Sequence, residues 1–224
     1  MSMRKDNIIY FPNNVQEQLV TILDEVFYFS IHTQDELILT LTEELIMAMG
    51  VSEDLADRSF SQLVWWITFC LPIGKQGETI YKQYLMKNKQ NWGNKGPLLK
   101  EVLVSWLNVS PGFYYVENNE IYSEKVFTLC DLFERKNKLV CIYNEIFQPP
   151  KRGELVTGLL IPMGNGTYTN QNGFLHLPQD LSHTVTHEIV SYFNHHAKSP
   201  NYQLNSHLYP QLITLALQTI EREI

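Results

Sequence analysis

The sequence predicts an α+β fold, with helices on both sides of a central β unit. Apolar residues recur every three or four positions over 1–110, switch to short β-branched and aromatic runs over 111–178, and return to the helical period over 179–224. We therefore predict an N-terminal helical bundle, a central antiparallel unit of five or six short strands, and two C-terminal helices that pack back on it. A hydrophobic content of 44% with 18% charged residues is typical of folded globular proteins.

The N-terminal region shows helix-start and helix-stop residues at regular intervals. Asn13 or Asn14 is a candidate N-cap for the first helix, Thr33-Gln-Asp-Glu36 is a capping-box pattern, and Gly50 is a candidate stop. The predicted helices are 14–31, 33–49, 52–71, 78–89 and 98–107.

The central region alternates short apolar runs with turn sequences. Two consecutive prolines, Pro149 and Pro150, require a loop because neither has a backbone donor. The predicted turns are Glu117–Glu120, Glu134–Asn137, Gln148–Gly153, Gly164–Gly166 and Asn170–Gly173. A small set of strands with one apolar face needs either closure into a barrel or a cover of helices.

The C-terminal region returns to helical spacing. Helices are predicted for 181–196 and 206–224, joined by the polar linker 198–205. Whether these helices, the β unit and the bundle form three domains (1–110, 111–178, 179–224) or one is left open by the sequence, as is any extension of the natural chain beyond residue 224.

Composition argues against several function classes and locations. The net charge is -7, and each of the three regions has more acidic than basic residues, whereas nucleic-acid binders show a basic excess. Three widely spaced cysteines with no Cys-x-x-Cys favour a reducing cytoplasm. The N-terminus has no apolar segment after its charges, and no apolar run reaches about 18 residues, so we predict neither a secretory signal nor a membrane partner.

Two histidines form the sharpest candidate chemical pattern. His183 and His187 are four residues apart and so meet on one helix face, where they could hold a metal for a metal-dependent hydrolase. His187 falls opposite the apolar stripe of its helix, which favours ordinary surface histidines. A third ligand would have to come from His32, His176 or His207, which nothing in the sequence places nearby.

Catalytic and cofactor motifs are otherwise missing from the sequence. There is no Gly-x-Ser-x-Gly and no complete phosphate-binding loop. Cys70, Cys130 and Cys141 lie in apolar runs and are interpreted as small buried hydrophobes. We predict no catalytic residue and no cofactor.

One basic stretch is interleaved with aromatic residues. Its lysines and aromatics are Lys75, Lys82, Lys87, Lys89, Lys95, Lys100, Tyr81, Tyr84 and Trp92. Lysines beside stacking aromatics are typical of single-strand nucleic-acid binding, for which Lys82, Lys87, Lys89 and Trp92 are the candidate contacts. A solvated helix with inward aromatics is the favoured interpretation because the chain is acidic.

A set of short segments resembles a known bacterial domain. These segments are Ser105–Leu107, Gly112–Val116, Phe127–Phe133, Lys138–Val140, Arg152–Leu155, Gly158–Pro162 and Leu175–Pro178. Their order is similar to the domain upstream of the small SEC-C zinc motif, and it covers about a third of the chain. The zinc-binding cysteines of that motif are missing here, so the resemblance implies an α+β fold and a bacterial origin but no metal.

The functional prediction is a non-catalytic module that binds an unknown protein partner in the bacterial cytoplasm. The basis is the lack of a catalytic constellation together with an aromatic content of 12%, since aromatics serve as anchors at interfaces. The alternatives are nucleic-acid binding through the β unit and the basic stretch, and metal-dependent hydrolysis.

Overall fold

A computed structural model describes residues 14–74, 76–93, 95–119, 125–144 and 147–223. Its helices are α1 (Asn14–Met49), α2 (Glu53–Asp57), α3 (Phe60–Cys70), α4 (Ile80–Lys87), α5 (Lys89–Gly93), α6 (Pro97–Ser105), α7 (Ser182–His196) and α8 (Tyr209–Glu223). Its strands are β1 (Pro111–Asn119), β2 (Val126–Asp131), β3 (Asn137–Cys141), β4 (Leu155–Leu159), β5 (Ile161–Pro162), β6 (Thr167–Thr169) and β7 (Leu175–Leu177). Asn13, Lys75, Glu120 and Ile224, to which predictions were attached, lie outside the described residues.

Helix α1 joins the first two predicted helices. Its 36 residues are interrupted at Gln34, whose φ of -143° and ψ of 20° are not helical. The break therefore falls within the predicted capping box Thr33–Glu36, and the helix ends where Gly50 adopts a φ of 62°. The third predicted helix is divided into α2 and α3 at Arg58 and Ser59.

The α+β class is confirmed, but the prediction of an antiparallel unit of five or six strands is wrong, and of the two alternatives for covering it the barrel is not formed. The seven strands form one open sheet in the order β5-β6-β3-β2-β1-β4-β7, in which β6 runs parallel to β3. A single residue, Leu160, separates β4, which pairs with β1, from β5, which pairs with β6 at the other end of the order. The parallel pairing of β6 with β3 makes the sheet mixed.

The turn prediction is confirmed at one hairpin and corrected at another. β2 and β3 pair antiparallel across the turn that holds Arg135, which has a φ of 54°. The predicted loop at Glu117–Glu120 is instead part of β1 up to Asn119, with a bulge between Val116 and Asn118. The bulge lets the strand continue through a polar stretch that resembles a turn.

Both faces of the sheet are buried, by different means. Phe113, Leu155 and Leu177 point to a core formed with α3, α7 and α8. On the other face, Tyr114, Val116, Phe127, Leu129 and Val140 pack with Phe147 and Phe174, which lie outside the strands. A second helical core lies between α1, α3, α4 and α6 and includes Leu159 and Ile161, which flank Leu160. Residues from all three predicted regions therefore share cores.

Side chains from the helical region that precedes the sheet bond to carbonyl groups in or next to the outer strands. At β7, Arg58 Nη2 donates to the His176 carbonyl at 3.1 Å, and Gln62 Nε2 donates to the neighbouring Gly173 carbonyl at 3.1 Å. At β5, Trp106 Nε1 donates to the Pro162 carbonyl at 2.8 Å. Such bonds satisfy carbonyl groups that an uncovered edge strand would offer to another chain.

A buried carboxylate organises the turn between β2 and β3. Asp131 Oδ1 accepts the backbone N–H groups of Phe133 and Glu134 at 3.0 and 2.9 Å, and Oδ2 accepts from Lys138 Nζ at 2.7 Å. Asp131 is only 3% exposed, so these three donors, rather than water, stabilise its carboxylate. The same lysine lies over the rings of Tyr114 and Tyr168.

We expect Asp131→Ala to lower the free energy of unfolding by about 3–5 kcal/mol, because it leaves Lys138 without its buried partner and removes the turn bonds. Asp131→Asn keeps an acceptor for both backbone groups and is expected to lose only about 1–3 kcal/mol. Urea denaturation measures both. Glu134→Gln, at a 3.8 Å contact with Lys138, is the control and should change stability by less than about 0.5 kcal/mol. Equal losses for the Ala and Asn variants would contradict this role.

Trp106→Phe and Trp65→Phe make the same chemical change at two buried sites that differ in hydrogen bonding. Trp106 Nε1 bonds to the Pro162 carbonyl, whereas Trp65 Nε1 is buried without a hydrogen-bond partner in the described structure. We expect Trp106→Phe to lower the free energy of unfolding by about 1–2 kcal/mol more than Trp65→Phe does, because it leaves the Pro162 carbonyl unpaired. Guanidinium denaturation of the two variants tests this, and indistinguishable losses would refute it.

Candidate functional site

A groove runs along one face of α1, between that helix and the end of α4. It consists of two adjoining hollows of about 650 and 490 Å³ that share Thr21 and Glu25. The residues that line it, called here the α1–α4 groove, are Asn14, Glu17, Gln18, Thr21, Ile22, Asp24, Glu25, Tyr28, Phe29, His32, Thr33, Tyr84, Lys87, Asn88, Asn91, Trp92 and Lys95.

The wall from α1 follows helical geometry. Residues 21, 24, 25, 28, 29, 32 and 33 are spaced by three and four positions, so they lie on one face of the helix. Neighbours on the other side, such as Leu23 and Val26, are buried in the core. The first half of α1 therefore uses its apolar side for the fold and leaves a polar and aromatic side for the groove.

The aromatic wall is fixed by a series of ring contacts that begins in the core. Trp65, Phe69, Tyr81 and Tyr84 follow one another with ring centroids 5.3, 4.8 and 6.5 Å apart. Tyr84 then contacts Phe29 at 5.6 Å and Trp92 at 5.8 Å. The phenol of Tyr81 is held by its bond to the Leu103 carbonyl at 2.7 Å. Close-packed rings of this kind lose little freedom on binding.

Two carboxylates are held at the groove by single hydrogen bonds. Tyr84 Oη donates to Glu25 Oε2 at 2.6 Å, and Gln171 Nε2 donates to Asp24 Oδ1 at 2.9 Å. Burial raises the pKa of the Tyr84 phenol, and the bond to Glu25 raises it further, so the phenol remains a donor. The ion pairs formed within the described part of the chain involve Asp131, Glu134, Glu154 and Glu188, and none involves Glu17, Asp24 or Glu25.

Two lysines reach the groove. Lys87 Nζ lies 5.3 Å from the centroid of the Phe29 ring, and Lys95 Nζ bonds to Gln18 Oε1 at 3.3 Å. Lys87 and Trp92, two of the four predicted nucleic-acid contacts, are thus brought to one groove. Lys82 and Lys89 are exposed but do not line either hollow.

The predicted metal residues lie on the exposed side of α7. The His187 side chain is 76% exposed and 4.0 Å from Glu188, and His183 is exposed one turn earlier. Among the described residues, no group of three or more His, Cys, Asp or Glu side chains is arranged to hold a metal ion. His32, His176 and His207 are therefore not brought to this pair, and the hydrolase hypothesis receives no support from them.

The three cysteines are free thiols whose surroundings disfavour the thiolate. Burial raises the pKa of Cys70, and it raises the pKa of Cys141 to about 11. Burial and the nearby charge of Glu117 raise the pKa of Cys130. A nucleophilic cysteine needs the opposite shift.

The Cys141 thiol predicts a specific pH dependence. Its folded pKa of about 11 lies above the usual 9.0, so above pH 9 the unfolded chain releases a proton that the folded chain retains. Stability should fall between pH 9 and 11, and Cys141→Ala should make that fall shallower. Urea titrations at several pH values measure this. Cys141 also helps to raise the pKa of Tyr143, so its removal reduces that tyrosine's contribution and makes the fall shallower in the same direction. Identical slopes would therefore contradict the assignment.

Comparisons of the chain with protein-family models, with curated proteins and with solved structures found no match. The resemblance to the domain upstream of SEC-C motifs stays a prediction. Within the described residues, no helix has both the length and the apolar character that crossing a membrane requires. The cytoplasmic location also stays a prediction.

The sequence analysis named Lys87 and Trp92 only as candidate nucleic-acid contacts, and it missed the wall of the groove that α1 provides. The signal that could have revealed it was the aromatic pair Tyr28 and Phe29 on the polar side of α1, beside Asp24 and Glu25. Tyr28 is 63% exposed, which is unusual for a large aromatic side chain on a helix that packs against a core.

Proposed function

We propose that this protein is a non-catalytic module that binds another protein through the α1–α4 groove. The observation that carries the proposal is the combination, in one groove, of ring surfaces fixed by the core and carboxylates that form no ion pair with any described residue. Fixed aromatic anchors with polar groups around them are the usual composition of a protein-binding surface.

The charges of the groove favour a protein over a nucleic acid. Lys87 and Lys95 could reach phosphates, but Glu17, Asp24 and Glu25 line the same two hollows and would repel them. Nucleic-acid binding through Lys82, Lys87, Lys89 and Trp92 is therefore the second candidate. The raised thiol pKa values support a role without nucleophilic catalysis.

Site-specific crosslinking tests the proposal. A photoreactive benzoylphenylalanine replaces Tyr28, and in a matched variant it replaces Leu204, which is 70% exposed and lies between α7 and α8. On irradiation in the native cells, we expect a protein adduct at position 28 that survives nuclease treatment and is several times stronger than at position 204. Equal labelling at both positions, or an adduct that nuclease removes, would contradict the proposal.

A further inference from the structure

We infer that the partner of the α1–α4 groove is a basic peptide segment, whose lysine or arginine side chain lies against the Phe29 ring and near Asp24 and Glu25. This inference rests on the proposed function and adds the chemistry of the partner. It draws on the charges, the resident lysine and the shape of the groove.

Two carboxylates of the groove are placed so that they can attract a cation. Asp24 and Glu25 are adjacent in the chain, exposed, and line the same hollow. Each already accepts a hydrogen bond from a neutral donor, which fixes its position without neutralising its charge. A carboxylate that is held in place and forms no ion pair can bind a cation at a lower entropic cost than a carboxylate whose side chain moves freely.

The position of Lys87 shows that the Phe29 ring can hold a cation. Its ammonium group lies 5.3 Å from the Phe29 centroid, within the range of a cation–π contact. The ring face is therefore already occupied by a cation from the protein itself. Because Lys87 is exposed and forms no ion pair in the described part of the chain, its side chain can move aside. An incoming lysine or arginine would displace Lys87 from the ring, and a side chain that extends past the ring toward Glu25 would gain an ion pair that Lys87 does not form.

The two adjoining hollows of the groove together fit a peptide better than a small cation. The first hollow, of about 650 Å³, continues through Thr21 and Glu25 into the second, of about 490 Å³, where Glu17 and Trp92 lie. A small cation would use only one of these hollows. A peptide several residues long can occupy both, with a basic side chain in the first and an apolar or basic one beside Trp92 in the second.

Binding of defined peptides to the full chain tests the inference. The probe is a fluorescent ten-residue peptide of alternating arginine and serine, measured by anisotropy at low salt. Two competitors are compared: the same peptide with citrulline in place of arginine, and spermidine. A fluorescent single-stranded oligonucleotide is titrated with the protein in a separate experiment without the peptide, because an oligonucleotide would bind the arginine peptide directly. We expect saturable binding of the arginine peptide, weak competition from the citrulline peptide and spermidine, and weak binding of the oligonucleotide. Citrulline has the shape of arginine without its charge.

Charge-removing variants locate the binding site and have matched controls. Glu25→Gln keeps the acceptor for Tyr84 and should weaken binding about threefold or more, the size of one exposed ion pair. Lys87→Met frees the Phe29 ring and removes a competing charge, so it should strengthen binding by a similar factor. Glu43→Gln, on the exposed second half of α1, and Lys151→Met, in an exposed loop, make the same charge changes elsewhere and should have little effect.

The sign of the Lys87→Met effect is decisive, because a phosphate ligand would bind this variant more weakly. Weaker peptide binding by Lys87→Met, equal binding of the citrulline peptide, or equal competition by spermidine would each overturn the inference. If the peptide fails while the crosslink at position 28 persists, the partner chemistry is wrong and the proposed function stands. If both fail, the groove is not a binding surface.

Discussion

The rest of the structure depends on the burial of strand β1 on both of its faces. Phe113 and Tyr114 are neighbours in the chain, point to opposite sides of the sheet, and are 0% and 1% exposed. A strand of this kind needs two separate covers. Helices α3, α7 and α8 provide one, and Phe147 and Phe174 contribute to the other. The N-terminal and C-terminal helices therefore meet on one face of the same sheet.

Covering the sheet also limits how the protein can bind a partner. The outer strands β7 and β5 are short, and side chains such as Arg58 and Trp106 already bond to their carbonyl groups. Binding by strand addition requires a free edge. Gln16 strengthens this cover by donating from the start of α1 to the Met163 carbonyl at 3.2 Å. The partner surface is therefore better sought on the helices, where the α1–α4 groove lies.

In the groove, the residues that stabilise the fold differ from those that the proposed binding would use. Tyr81 and Tyr84 are buried and hold the ring surface in place from the core. Asp24, Glu25 and Lys87 are exposed, so their charges can change with little effect on the fold. Rigid packing fixes the position of such a site, and its exposed charged residues can be substituted without disturbing that packing.

The sequence by itself determined the local structure of this protein, and the tertiary structure decided the strand order and the site. Helical spacing, the capping box near Gln34 and Gly50 are local signals, because each depends on residues within a turn or two. They located α1, its break and its end. The parallel pairing of β6 with β3, and the different partners of β4 and β5, depend on which strands meet across the sheet. Alternation of apolar residues cannot specify those partners. The groove has the same origin: Glu25 and Tyr84 are 59 positions apart, and only the packing of α4 against α1 makes them partners.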